Sequence, residues 1–197
     1  FEARSGFALE VSSPDASPVE FALKMRQFGD HDLMTQWLRE GKLTESHARD
    51  VARKMVRLHA SARTDEKVAS YGTPGAVERM IGDNFNLVRK FTGRALSNEQ
   101  FERVHAAVLS AVRKNRDRID RRVREGRIRE CHGDLHLRNM CWFDGEIQFF
   151  DCIEFNNEYR CIDVIYELAF LAMDLEYRGR ADLANAVVNE YLERSGD

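Results

Sequence analysis

His132-Gly133-Asp134-Leu135-His136-Leu137-Arg138-Asn139-Met140-Cys141, with the apolar run Ile147-Gln148-Phe149-Phe150 that leads into Asp151, is the stretch on which the reading of this chain turns. Its polar side chains recur at intervals suited to phosphate chemistry assisted by a divalent metal. Asp134 can accept a proton from an alcohol, Asn139 offers a neutral oxygen ligand five residues later, and Asp151 follows a strand end where a carboxylate can hold Mg²⁺. Asp134 is therefore the candidate catalytic base, and Asn139 and Asp151 the candidate metal ligands.

Working outward, the flanks supply a frame for such a loop. Ile128 to Cys131 reads as a short strand before it. Met140 to Phe143 and Glu146 to Phe150 read as a hairpin closed by Asp144-Gly145, a strong two-residue turn. The segment Asp163 to Leu175 is apolar on nearly all sides and is expected to be a central buried helix, and an amphipathic helix follows over about Ala181 to Arg194.

Upstream of the loop the texture is helical. Leu33 to Arg39 predicts a short helix ending at Gly41. Thr44 is a candidate N-cap for a longer one whose core stripe is Ala48, Val51, Ala52, Met55, Leu58 and Ala62. Thr73-Pro74 opens another through about Phe91, with Pro suited to the first helical position. Ser97-Asn98-Glu99-Gln100 is a capping box for a helix through Phe101, Val104, Val108 and Val112, expected to continue past Ile119 to Val123. That makes four helices before the loop. Val19 to Arg26 alternates apolar and polar side chains as a half-buried strand does.

The chain has 197 residues, 43% apolar and 32% charged, an ordinary globular balance that excludes disordered and collagen-like classes. A net charge of -3 gives no overall basic field, so neither nucleic acid nor an anionic membrane is expected as a partner. Arg113 to Arg129 holds nine basic residues against three acids, but no aromatics interleave for base stacking, and a solvated helix face with internal ion pairs is the expectation. With no apolar span and no leader-like start at Phe1-Glu2-Ala3-Arg4, a cytoplasmic location is expected. Lacking an initiator Met, the chain is expected to be a fragment.

Cys131, Cys141, Cys152 and Cys161 lie about ten residues apart without a C-x-x-C pair, so a zinc site is not expected and buried reduced thiols are. His132 and His136 could share a metal on a helix, yet Gly133 opposes a helix there, and His31, His47, His59 and His105 form no ligand cluster. His132 is expected to brace the loop or the Asp151 region, and His59 and His105 to be partly buried core histidines. Asp163 is expected near Arg160 or the loop. Asp174, Glu176 and Glu190 could line an acidic pocket for a cationic substrate or be exposed helix charges.

Protein kinases place the same groups as H-R-D-x-x-x-x-N and then D-F-G, with the same Asp-to-Asn interval. With Gly133 in place of the Arg, His132-Gly133-Asp134-Leu135-His136-x-x-Asn139 resembles the signature of aminoglycoside phosphotransferases, choline kinases and their small-molecule kinase relatives. The resemblance implies an α+β, mainly helical fold: the C-terminal lobe of a protein-kinase-like fold with a catalytic-loop β-hairpin. It implies residues 1-28 as a remnant of the N-lobe and hinge strand, and residues 29-197 as the helical C-lobe with catalytic loop 132-139 and the metal-binding Asp at 151. Val19 to Arg26 is then the hinge strand, Met25 presents backbone groups to adenine, and Lys24 is a solvated strand residue rather than the phosphate lysine. Asp151 to Asn156, with Arg160, Ile162-Asp163-Val164 and Glu167 to Leu175, resembles a bacterial subgroup often fused to a downstream P-loop ATP-binding domain. No Walker A sequence occurs here, so that partner would lie beyond Asp197.

The implied activity is an ATP- and Mg²⁺-dependent phosphotransferase acting on a small-molecule hydroxyl. No G-x-G is present, so the phosphate-covering loop and its lysine are expected elsewhere. The alternative is a catalytically silent kinase-like module that binds a metabolite or regulates a fused ATPase.

Overall fold

Two helices separated by more than a hundred positions in the chain supply nearly half of the main core. In the computed structural model, which describes residues 28-197, helix α2 (Glu45–Ser61) packs along helix α9 (Ala181–Ser195), and helix α8 (Val164–Tyr177) packs on α9. Ala48, Ala52, Ala184 and Ala186 are buried in this cluster, and such small residues let the helix axes approach. Val51, Met55, Leu171, Leu175, Leu183 and Val187 fill the space between, each contributing roughly 2 kcal/mol by leaving water. The strand expected over Val19 to Arg26, with Lys24 and Met25, lies outside the described residues.

The first elements are a 3₁₀ turn at Asp30–Asp32 and helix α1 (Met34–Arg39). Thr44 caps α2 as expected, its hydroxyl accepting from His47 N. Leu58 departs from the predicted stripe at 44% exposure, and His59 takes the buried position beside it. Two short helices went unread. Helix α3 (Glu66–Ser70) starts at Asp65, whose carboxylate accepts from Val68 N, and contains Val68 as its one buried apolar residue, too little for a periodicity.

Helices α4 (Pro74–Arg89) and α5 (Asn98–Lys114) pack on each other as a helical hairpin. The long helix expected through Val123 is broken. The Asn115 side chain donates to Ala111 O, a local bond that competes with helix continuation, and helix α6 (Arg116–Arg124) begins after it. Six helices thus precede the loop among the described residues, where four are legible in the sequence.

Strand β1 (Ile128–Glu130) does not join the hairpin of β2 (Met140–Phe143) and β3 (Glu146–Phe149). It pairs antiparallel with β4 (Cys161–Asp163), with Ile128 opposite Asp163. Asp144 and Gly145 have φ of +56° and +83°, the two positive values a tight primed turn requires. The short helix α7 (Asn157–Arg160) leads into β4. Helix α8 is less central than its composition suggests. Val164, Leu168, Leu171 and Leu175 face the core at three- and four-residue spacing, while Tyr166, Met173 and Tyr177 are exposed.

Candidate active site

Leu135 and Leu137 are buried in the main core, and by sinking there they fix the loop between β1 and β2. Gly133 has φ of +84°, and a Cβ on it would lie 2.8 Å from Tyr159 O, so both conformation and crowding exclude any larger residue. That is the physical reason for glycine at a position occupied by arginine in the protein-kinase motif.

Buried side chains strap the loop to the helices beneath it. Glu167 Oε1 accepts from Gly133 N (2.7 Å) and Oε2 accepts from His59 Nε2 (2.7 Å). His59 Nδ1 then accepts the Tyr191 hydroxyl (2.8 Å), and burial pushes that hydroxyl's pKa up, which keeps it a donor. Three helices, α2, α8 and α9, are thereby joined to one backbone amide of the loop. At the other end of the loop Asp174 Oδ2 accepts from Leu137 N (3.0 Å), while Oδ1 accepts from Arg178 Nε (2.9 Å).

A second set of bonds stitches the loop to the segment that carries Asp151. His132 Nδ1 accepts from Asp134 N (3.3 Å), which leaves Nε2 protonated to donate to Phe150 O (2.8 Å). Ile153 N donates to His132 O (2.9 Å), and Phe150 N donates to Asn139 O (3.1 Å). His132 therefore braces the loop against the Asp151 region.

The candidate residues sit as follows. Asn139 is buried, and its Nδ2 donates to both Asp134 O (3.0 Å) and Asp134 Oδ2 (3.2 Å), leaving Oδ1 as the oxygen available to a ligand. The Asp134 side chain is 41% exposed, with His136 Nε2 at 3.6 Å from its Oδ2. Asp151 is exposed with φ of +60°, a left-handed conformation that a non-glycine residue adopts at a cost, held between Phe150 and Ile153, both bonded to the loop. The backbone thus brings the Asp151 segment against Asn139 and His132. Met25 lies outside the described residues.

An amide oxygen and a carboxylate are hard donors, a ligand chemistry that suits Mg²⁺ rather than a thiolate-seeking metal. A different trio, His59, Cys131 and Glu167, places ligand-type atoms within 4.8 Å of one another. These atoms are already committed: His59 and Glu167 to each other, and Cys131 Sγ to Ile162 O at 3.7 Å. Burial also holds the Cys131 thiol protonated by pushing its pKa up.

Several expectations are corrected. Asp163 is structural, as expected, but its side-chain partners are neither Arg160 nor the loop. Its carboxylate accepts from both Nε and Nη2 of Arg122 and from Ile165 N, so it caps α8 and ties it to α6. Asp197 accepts from the same guanidinium, so Arg122 is a clamp and not part of a solvated face. Cys152 is exposed, unlike Cys141 and Cys161. Asp174 is an anchor of the loop. Glu190 is buried and binds Arg49, Arg53 and Arg194, which together hold its carboxyl down to about 2. Glu167, His59 and Tyr191 were missed as loop supports, since nothing local in the sequence links positions so far apart.

A family model for the phosphotransferase enzyme family matches residues 27-197. Uncharacterized proteins of Mycobacterium tuberculosis (strain H37Rv) and Mycobacterium bovis (strain AF2122/97) are each 31% identical over 187 residues, covering 95% of this chain. The chain spans 38% of the length of these relatives. Among the described residues no helix is long and apolar enough to cross a membrane.

Proposed function

The chain belongs to the phosphotransferase enzyme family, and from that premise we propose that it transfers the terminal phosphoryl group of ATP, with Mg²⁺, to the hydroxyl of a small molecule. Residues 29-197 serve as the helical C-lobe of a kinase-like fold, and residues 1-28 as the N-lobe remnant and hinge, with Met25 offering backbone groups to adenine. A P-loop domain fused downstream, as in the resembled subgroup, is part of the same proposal.

Asp134 orients the acceptor hydroxyl and takes its proton as the oxygen attacks phosphorus. The Asn139 amide donates to Asp134 at both backbone and side chain, so it fixes the carboxylate's rotamer while leaving its own oxygen uncommitted. Asn139 and Asp151 would hold the metal, whose role when bound is to neutralise charge on the nucleotide phosphates. His136, beside Asp134, adds a second polar group facing the acceptor's approach.

The observation that carries this reading is the pair of hydrogen bonds that Asn139 Nδ2 donates to Asp134 O and Oδ2 within a loop clamped by Glu167. Such preorganisation is what transfer chemistry asks of a protein, because positioning and charge supply most of the acceleration. The test is Asp134→Ala in the whole protein, read as ADP release with a panel of hydroxyl acceptors and as the thermal shift given by Mg·ATP. Turnover is expected to fall about 10²- to 10⁴-fold, in the range of a lost general base, with the thermal shift unchanged. Near-normal transfer by the variant would overturn the role of Asp134, and absence of any Mg·ATP shift in the wild type would favour the silent binding module.

A further inference from the structure

A cavity of about 650 Å³ opens beside the candidate loop, and its charge is opposite to that of the chain as a whole. Arg39 from α1, Arg138 from the loop and Arg178 from just beyond α8 line it, against the single carboxylate of Asp30. Phe28 and Phe150, with ring centroids 4.9 Å apart, form an apolar wall. The volume falls in the range of small-molecule sites, which combine apolar walls with a few convergent polar groups.

The three arginines differ in how far they are neutralised. Arg178 is paired with Asp174. Arg39 bonds to the neutral Gln36 at 3.2 Å, and among the described residues no carboxylate lies within ion-pair distance of Arg39 or Arg138. Two guanidiniums thus line a concave surface without an ion-pair partner among the described residues, an arrangement that favours a planar or tetrahedral oxyanion.

Position gives the cavity its meaning. Arg138 lies between Asp134 and Asn139 in the same loop, and Arg178 shares Asp174 with the amide of Leu137, so two of the three cations are attached to the loop. Resting on the phosphotransferase reading above, we propose that this cavity receives an anionic group of the acceptor, a phosphate ester or a carboxylate, so that the hydroxyl compound phosphorylated here is an acidic small molecule. A polycationic acceptor would need uncommitted acids near the loop. Of the three acids the sequence offered for that purpose, Asp174 and Glu190 are spent on Leu137 N and on arginines, and Glu176 is an exposed charge of α8 that does not line the cavity. The nucleotide's anionic end is given to Asn139 and Asp151 in the reading above, whereas Arg39 is built on α1 and Arg178 just beyond α8; Arg138, on the loop itself, is the one cation adjacent in sequence to Asn139.

The test uses glycerol 3-phosphate as the phosphate probe, glycerate as the carboxylate probe and glycerol as the neutral control. Each is titrated calorimetrically into the whole protein with and without Mg·ADP. Saturable binding of at least one anionic probe is expected, without binding of glycerol. Arg138→Ala and Arg39→Ala should each weaken it about tenfold or more, while Arg57→Ala, an exposed cation on α2, leaves it unchanged. Which anionic probe binds distinguishes phosphate ester from carboxylate. No saturable binding of either anion, binding indifferent to Arg138 and Arg39, or displacement by Mg·ADP would each overturn the proposal. If the Mg·ATP thermal shift persists in that case, the kinase reading survives the loss of this one; if the shift is also absent, both fall.

Discussion

Residues 131-153 and the α4–α5 hairpin are held by opposite means. The first segment is irregular, yet its amides bond to Glu167 and Asp174, its apolar residues sink into the main core, and its two ends are stitched together through His132 and Asn139. The second is two regular helices joined by a turn, yet only Pro74, Phe101 and Val112 of its two helices are buried, while Leu87, Val88 and Val104 stay exposed. Secondary structure is therefore a poor guide to rigidity here. Long-range contacts decide it, and they are concentrated where fixed polar geometry would matter to chemistry.

The largest effect should come from cutting the strap under the loop. Glu167→Ala leaves Gly133 N and His59 Nε2 buried without partners, and is expected to cost about 3 kcal/mol of stability. Hydrogen exchange at the Gly133 amide should accelerate along with the global opening. Glu167→Gln, which keeps an oxygen for Gly133 N, should recover much of the loss in thermal unfolding. If the alanine variant melts like the wild type, the buried chain is not what holds the loop.

Phe101→Ala strikes the corresponding point of the hairpin. Phe101 meets Phe85 edge-on at 5.4 Å and lies under the Arg89 guanidinium at 4.5 Å, so its removal is expected to cost about 3 kcal/mol. The cost should be local. Exchange should rise across residues 74-114 while the Mg·ATP thermal shift persists; a shift lost together with the hairpin would show that the two regions are one cooperative unit.

The contrast also explains what the sequence could tell. Every long helix announced itself through periodicity and caps, Thr44, Thr73-Pro74 and Ser97 among them, and Asp144-Gly145 marked the turn, because these are local signals. The order Asp134, Asn139, Asp151 was legible for the same reason. The supports were not: His59, Glu167 and Tyr191 meet only when α2, α8 and α9 pack, and Asp163 finds Arg122 across 41 positions. Helices α3 and α7 and strand β4 are too short to carry a period. Leu58 followed the stripe but faces outward, because the adjacent buried place is taken by a histidine with two partners.

Acid should loosen the core side of the comparison before the hairpin feels it. Arg194, Arg53 and Arg49 hold the Glu190 carboxyl down to about 2, well below an ordinary glutamate, so its contribution is fully present above about pH 4.5 and is lost as pH falls through about 2. The hairpin's own ion pair, Arg89 with Glu102, is exposed at both ends and contributes little at any pH. Unfolding temperature should therefore decline between pH 4.5 and 2, and Glu190→Gln should flatten that decline. An unchanged acid slope in the variant would assign the loss to other carboxylates.

The smallest expected effect is the most local. Ser97 Oγ accepts from Gln100 N (3.1 Å), and Gln100 Oε1 accepts from Ser97 N (2.8 Å), so two otherwise unpaired amides at the start of α5 are satisfied reciprocally. Ser97→Ala removes one of these bonds and should cost about 1 kcal/mol. Because α5 touches the rest of the molecule mainly through α4, the loss should be felt as faster exchange over residues 98-103, with the Gly133 amide as protected as before. Were Gly133 to respond to a cap on the far helix, the separation between a strapped loop and a loosely attached hairpin would be false, and motion in one would have to be counted in the chemistry of the other.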